Sequence, residues 1–580
     1  MKRILCIVLV VQLTSVVTGC STATRIGSRI SRQHTSAESA DLIRKLARRP
    51  YGNPLIYQYL NTSPDFAGFV ERICGKLDRV RTGYDAAKFV SGLSLERKGR
   101  DLLPNTGVDL SECPGWARAG VARLVSGMAL SHNLLEEAFA RLGPEDISFV
   151  CKSLLIVPPS NDESYNEDER KKLEKLRKKC YELADKIDQA GIEAAGLALV
   201  ETASEVWKDL RKSYSRADIS ELPGRLDIAT PWGDIRLSFK GDDSYSSENS
   251  PSVIVDFEGD DLYQNVPEGF GLARPLALVI DLDGNDRYEC PERAGPVLAI
   301  LGLSVLLDGQ GDDLYRGGLF SMGSATGGFA ALMDWAGDDT YDCGAYSLGF
   351  GFFGTGLLFD REGNDRYEVT HMGQGVGHVK GKGALIDVKG SDVYTAGGLV
   401  PDVLRDPERF ISLSQGYGVG HRPDFSGGIG ILADLGGDDS YKCDVFGQGG
   451  GLWLSMGILY DASGDDRYQA HRYAQGAGIH FSLGALVDGA GSDSYSSWGV
   501  SMGCGHDYAL GLLLDESGND SYESSWLSQG AGSENGVGVH WDTDGHDQYL
   551  DGGDTQSSGY AHTAESIGIL GRAGRRAAQD

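Results

Sequence analysis

Asp434-Leu435-Gly436-Gly437-Asp438-Asp439-Ser440-Tyr441 is a phrase that the chain repeats. In the form Asp-x-x-Gly-x-Asp-x-Tyr it returns at 461–468, 488–495, 515–522 and 542–549, each tyrosine 27 residues after the last. A fixed period of about 20 to 50 residues marks stacked repeats, in which a unit buries its apolar face only against its neighbours. Working back from this stretch, Tyr245, Tyr263, Tyr288, Tyr315, Tyr341, Tyr367 and Tyr394 extend the series. After a first interval of 18 the steps are 25 to 27, with one exception of 47 between Tyr394 and Tyr441, which reads as a 20-residue insertion near 397–428.

Within a unit, polar residues flank the tyrosine, as Arg287 and Glu289 flank Tyr288, and a small residue stands two positions on, as at Cys290, Gly317, Ala470 and Ser497. That alternation describes a strand whose aspartate, tyrosine and small residue share one inward face. The tyrosines are expected to stack, one per coil. Cys290 and Cys343, two coils apart, lie too far from one another to bridge. The strand before the motif is apolar at both of its last positions, as at Val279-Ile280, Leu306-Leu307 and Leu513-Leu514. A strand apolar on both faces is covered on both, so this sheet should carry an outer apolar stripe buried under the helical segment or a partner. The third part of the unit is glycine-rich, with Gln374, Gln415, Gln448, Gln475 and Gln529 in register. Stacked glutamines predict an amide ladder between coils. His378, His480 and His506 read as turn or surface residues.

The fold class that follows is mainly β. A parallel β-solenoid or β-helix of about 11–12 coils, 26–27 residues each, occupies 226–552, with a hairpin around Trp232-Gly233-Asp234 capping its first edge. An α-helical domain at 38–157 precedes it. Residues 158–225 carry a stripe of Leu173, Leu176, Cys180, Leu183 and Ile187, read as one long helix with Gly191 and Gly196 as candidate breaks and long enough to lie along the array. The tail, 553–580, has lost the motif and is expected to be disordered.

The formal charge of −29 disfavours a nucleic-acid partner. Almost all of it belongs to the repeat, whose 23 motif aspartates leave only −6 for the rest of the chain. Asp-x-x-Gly-x-Asp-x-Tyr resembles the calcium-binding turn of RTX proteins, Gly-Gly-x-Gly-x-Asp followed by a large apolar residue. The resemblance covers the turn alone and implies calcium as a cofactor. RTX turns recur about every nine residues, against once per coil here, so the coil geometry differs. Parallel stacking also brings like aspartates within a few ångströms, where they repel unless protonated, solvated or neutralised by a hard cation. The candidate ligands are Asp281, Asp286, Asp308, Asp313, Asp334, Asp339, Asp360, Asp365, Asp387, Asp392, Asp434, Asp439, Asp461, Asp466, Asp488, Asp493, Asp515, Asp520, Asp542 and Asp547. Asn285, Ser391, Ser492 and His546 at the middle position exclude it as a required ligand. Aspartates that only form turns, bonding to backbone amides, are the alternative without metal.

Met1-Lys2-Arg3, an apolar run and Val17-Thr18-Gly19-Cys20 make an export signal over 1–19. The run is too short to span a membrane. Val-Thr-Gly-Cys resembles a bacterial lipobox, which implies cleavage and lipidation at Cys20. Ser21 after it implies the outer membrane by the same resemblance, with 20–37 a flexible tether. Outside the cytoplasm, Cys74, Cys113, Cys151 and Cys180 are candidates for one or two disulfides.

No catalytic motif is present. The reading is a lipid-anchored cell-envelope solenoid with a structural, adhesive or ligand-binding role and a carbohydrate or protein partner. The alternative is a polysaccharide lyase or glycoside hydrolase, since parallel β-helices host such activity. Its site would use the insertion, where Asp406, Glu408, Arg409 and His421 bring unlike charges into the array.

Overall fold

The computed structural model describes residues 56, 58, 66–93, 106–154, 167–217, 222–550 apart from 249, 272, 291–293 and 424, and 566–572. The signal, Cys20 and the tether lie outside these residues. No helix among the described residues is long and apolar enough to cross a membrane.

The array is a parallel solenoid of about eleven turns, with a three-sided coil. One side is a 14-stranded sheet, a second is a 12-stranded sheet, and the third is made of a four-stranded and a five-stranded sheet linked through single bridges from Gly351 to Gly377 to Gly418. Register is held from coil to coil. In the 12-stranded sheet tyrosine pairs with tyrosine, from Tyr245 with Tyr263 to Tyr522 with Tyr549. The 14-stranded sheet begins with the expected hairpin, Arg225–Ile228 antiparallel to Ile235–Ser238, and is parallel thereafter.

Its last strand is a correction. Ile567–Arg572, in the tail expected to be disordered, pairs with Val537–Asp542, and Ile567 and Ile569 are buried. This strand carries no aspartate or tyrosine, but Ile567 and Ile569 stand in register with Val537 and Val539 and continue the outer apolar face.

The insertion is also two excursions rather than one. Gln415 stands 21 residues after Tyr394 where its equivalents stand 7 after theirs, and 19 before Asp434 where they stand 13 before theirs. The first excursion contains the small hairpin Pro401–Asp402 with Asp406–Phe410, and the second closes through the bridge His421 to Phe425. Between them Gly418–Val419 pairs in register with Gly451–Leu452, so the coil itself is uninterrupted.

Among the described residues six helices precede the strands: α1 (Phe66–Leu77), α2 (Gly83–Ser91), α3 (Arg118–Phe139), α4 (Pro144–Leu154), α5 (Glu167–Ala184) and α6 (Gln189–Tyr214). Helices α1, α2, α3 and α6 meet the 14-stranded sheet, as the doubly apolar strands require. Ile280, Leu307, Met333, Phe359, Ile386, Val487, Leu514 and Trp541 are all buried. Helix α6 lies on the early strands: Tyr214 donates to the Phe239 carbonyl at 2.9 Å, and Trp207 stacks on Trp335 at 5.0 Å. Further along, Glu193 pairs with Lys382 at 2.7 Å in a nearly buried contact. Helix α5 continues the line, with Tyr181 packed edge-on against Phe352 and Phe425. At α1, Asp78 accepts a bond from the Tyr460 hydroxyl at 2.5 Å.

The single long helix expected within 158–225 is two, Glu167–Ala184 and Gln189–Tyr214. It breaks at Asp188, whose side chain caps α6 by accepting from the Gly191 amide at 3.2 Å. Gly196 is no break. It lies inside α6 where a Cβ would come 2.1 Å from the Phe329 ring, so glycine is there to let helix and sheet approach. The eight cysteines of the described residues are free and buried.

Candidate metal centres

The 12-stranded sheet positions the motif. Its strand turns each tyrosine ring inward, and eleven consecutive ring pairs stack at 4.5–4.9 Å between centroids. Tyr394 and Tyr441, across the insertion, stack at 4.8 Å and 4° like the others. A buried phenol needs an acceptor. The first aspartate of the next coil supplies it: Tyr263 donates to Asp281 Oδ2 at 2.5 Å, Tyr341 to Asp360 at 2.6 Å and Tyr441 to Asp461 at 2.7 Å.

The second aspartate forms a different ladder. Its Oδ1 accepts the backbone N–H of the second aspartate one coil earlier, Asp261 to Asp286 at 2.6 Å, Asp286 to Asp313 at 2.6 Å and Asp339 to Asp365 at 2.7 Å. The middle residue forms a surface ladder of the opposite sense, its side-chain oxygen accepting the backbone N–H of the middle residue one coil later, as Asn285 receives from Asp312 at 2.8 Å. The turn-forming role of these aspartates is therefore real. It uses only part of each carboxylate.

What is left over converges. Asp261, Asp281 and Asp286 each offer one carboxylate oxygen, all within 4.8 Å of one another, and the same arrangement repeats through five successive groups as far as Asp365, Asp387 and Asp392. Asp286, Asp308 and Asp313 form the next, then Asp313, Asp334 and Asp339. Each joins the second aspartate of one coil to both aspartates of the following coil. Within them the Oδ2 atoms of Asp286, Asp313, Asp339, Asp365, Asp392, Asp439, Asp466, Asp493 and Asp520 are buried without a hydrogen-bond partner. So are Oδ1 of Asp308, Asp360, Asp488, Asp515 and Asp542.

Burial in this row pushes every one of these carboxyls up. For Asp286 desolvation leads, followed by the charges of Asp281 and Asp308; for Asp313 it is desolvation, then Asp308 and Asp334. At Asp520, nearer the open end, the rise reaches only about 6. A row of ionised, unpartnered carboxylates is costly. Two chemistries relieve it: a shared proton within each group, or a cation. Oxygens that share a calcium ion at about 2.4 Å lie at most about 4.8 Å apart, and the groups meet that limit.

Asp256 and Asp261 belong to this row and were missed among the candidate ligands, although Asp256-Phe257-Glu258-Gly259-Asp260-Asp261-Leu262-Tyr263 carries the same phrase. The glutamines differ from expectation. Gln448 Nε2 donates to two backbone carbonyls, Tyr441 of its own coil and Gln469 of the next, both at 3.1 Å, and Gln374 and Gln475 repeat the pattern. The amides clamp coil to coil through the backbone, and their Oε1 atoms accept nothing from one another. His378 is fully buried, contrary to a surface role, with Nδ1 accepting the Val379 amide at 2.7 Å.

The four residues named for an enzyme fall into separate settings. Asp406 lies 3.4 Å from His471 and Arg409 3.4 Å from Asp444, both beside the tyrosine-bearing strands. Glu408 is exposed in the hairpin. His421 packs among α5 side chains, 3.1 Å from Arg177 and edge-on to Tyr181. No protein-family model, curated protein or solved structure matches this chain.

Proposed function

We propose that this chain is a lipid-anchored protein of the bacterial cell envelope whose solenoid is a rigid, ligand-presenting scaffold held together by a row of calcium ions. The observation that carries the cation is the recurrence, coil after coil, of buried carboxylate oxygens that converge without a hydrogen-bond partner. Charge supports a divalent ion. Each coil adds two buried aspartates, and one divalent cation per coil neutralises both. The donors are all hard oxygens, and a dry cluster favours calcium over magnesium, which gives up its waters reluctantly. Folding would then be coupled to export into calcium-rich surroundings. The anchor rests on Val17-Thr18-Gly19-Cys20.

Purified Cys20→Ser protein, dialysed against calcium and then metal-free buffer, is expected to retain on the order of one calcium per coil by atomic emission. Retention of none would leave the shared proton as the means of neutralisation. Cell fractionation tests the anchor: wild type should sediment with membranes and Cys20→Ser should not, whereas equal sedimentation of both would contradict it.

A further inference from the structure

The repeat is least regular three residues past the tyrosine. In early coils this position holds Gly318, Gly344, Thr370 and Gly397; in four consecutive late coils it holds Asp444, His471, Trp498 and Ser525. These four line a cleft of about 360 Å³, within the range of about 300–1,000 Å³ usual for small-ligand sites. Its floor is the small row, Cys443, Ala470, Ser497 and Ser524, and Arg409 reaches it from the first excursion. Four coils at about 4.8 Å make it about 14 Å long, parallel to the solenoid axis.

The lining chemistry is specific. Trp498 is 43 % exposed in an otherwise polar setting. Its indole is held by His471, stacked at 5.6 Å, and by the Arg472 guanidinium 4.2 Å from the ring centre. The Ser497 and Ser524 hydroxyls are buried beneath the cleft without a hydrogen-bond partner. Arg409 and Lys442 are matched by Asp444 and Glu523, so the cleft is neutral on a chain of charge −29. Burial, ahead of the nearby Arg472 and Arg409, lowers the His471 pKa and favours its neutral form. A charge-balanced groove with an apolar wall and amide and carboxylate acceptors suits a ligand that is uncharged, rich in hydroxyls and apolar on one face.

We propose that this cleft binds a neutral oligosaccharide, with Trp498 as the apolar wall and Gln469 and Glu523 as hydroxyl partners. This deepens the ligand-presenting reading and rests on it, but does not depend on the cations. Arg409 ties the first excursion to the site, which gives that insertion a role: it closes one side of the groove.

The test is saturation-transfer NMR and calorimetry on Cys20→Ser protein with cellohexaose, chitohexaose, xylohexaose and maltohexaose, and with polygalacturonate as an anionic probe, in calcium. At least one neutral probe should bind. Trp498→Ala should weaken it at least ~10-fold, as loss of a central aromatic does. Arg316→Ala, on an early coil, should leave it unchanged. Near-ultraviolet circular dichroism of each variant separates loss of binding from loss of fold. Binding that survives Trp498→Ala, preference for polygalacturonate, or failure of every neutral probe on folded protein would overturn the assignment. A protein that holds cellohexaose but no calcium would overturn the cation reading alone.

Discussion

The 14-stranded and 12-stranded sheets climb the same coils in parallel, yet they dispose of their side chains by opposite means. The first is apolar on both faces, and its outer face meets helices α1, α2, α3 and α6. The second, with the turn that leads into it from the first, buries a tyrosine hydroxyl and two carboxylates per coil, the first carboxylate standing at the end of a strand of the 14-stranded sheet, and satisfies them by bonds that run from each coil to the next. A hydrophobic face needs only cover of the right shape, which a different part of the chain can provide. A carboxylate face needs partners or counter-charge at each coil, because an unpaired buried charge is not compensated by packing. The comparison teaches that one flank is held by tertiary cover and the other by an internal ladder that leaves oxygens over.

Breaking the ladder should cost most. Tyr367→Ala removes a fully buried ring stacked on Tyr341 and Tyr394 and strips Asp387 of its hydroxyl donor at 2.6 Å. A loss of about 4 kcal/mol is expected in urea unfolding; a loss under about 1 kcal/mol would show that the ladder does not hold the array. Breaking the cover should cost less. Gly196→Leu forces a side chain into the Phe329 ring and should destabilise by about 2–3 kcal/mol, with α6 amides exchanging hydrogen faster while those of the tyrosine strands remain protected. Outside both devices little should change: Arg366→Ala loses an exposed pair with Glu368, with less than about 0.5 kcal/mol expected from the same unfolding curves.

Acidity sharpens the contrast, since the rows of buried carboxylates stand on one flank. In chelator the raised aspartates favour the protonated fold. Their contribution is fully present below the usual carboxylate value of about 4 and is lost as pH rises through the folded values, which begin near about 6 at Asp360 and Asp520. Metal-free protein should therefore melt higher at pH 5 than at pH 8. Calcium needs the carboxylates ionised, so its stabilising effect should grow over the same interval.

The ladder was legible in the sequence because its period, its tyrosines and its doubly apolar strands are all local patterns. The cover was legible as a need, since strands such as Leu306-Leu307 leave no face for water. How the cover is divided was not. Gly196 looks like a helix break by propensity and is a contact glycine only because Phe329, distant in sequence, lies against it. The two excursions were readable from the displaced Gln415 but merged in the tyrosine interval. Of the site, the aspartates were legible, but their hydrogen bonds were not. Which carboxylate oxygens are spent on tyrosines and amides depends on coil-to-coil register. The cleft was hidden because its residues form no motif along the chain, only across coils.

The measurement that tests the central claim most directly is the melting temperature of Cys20→Ser protein at pH 7.5 in excess chelator and then in millimolar calcium, with magnesium as the control. A large rise with calcium and little with magnesium is predicted, since a row of sites binding the native state alone raises stability by mass action at each site. Well-folded protein in chelator with no shift on adding calcium would contradict the account and leave the carboxylates neutralised by protons.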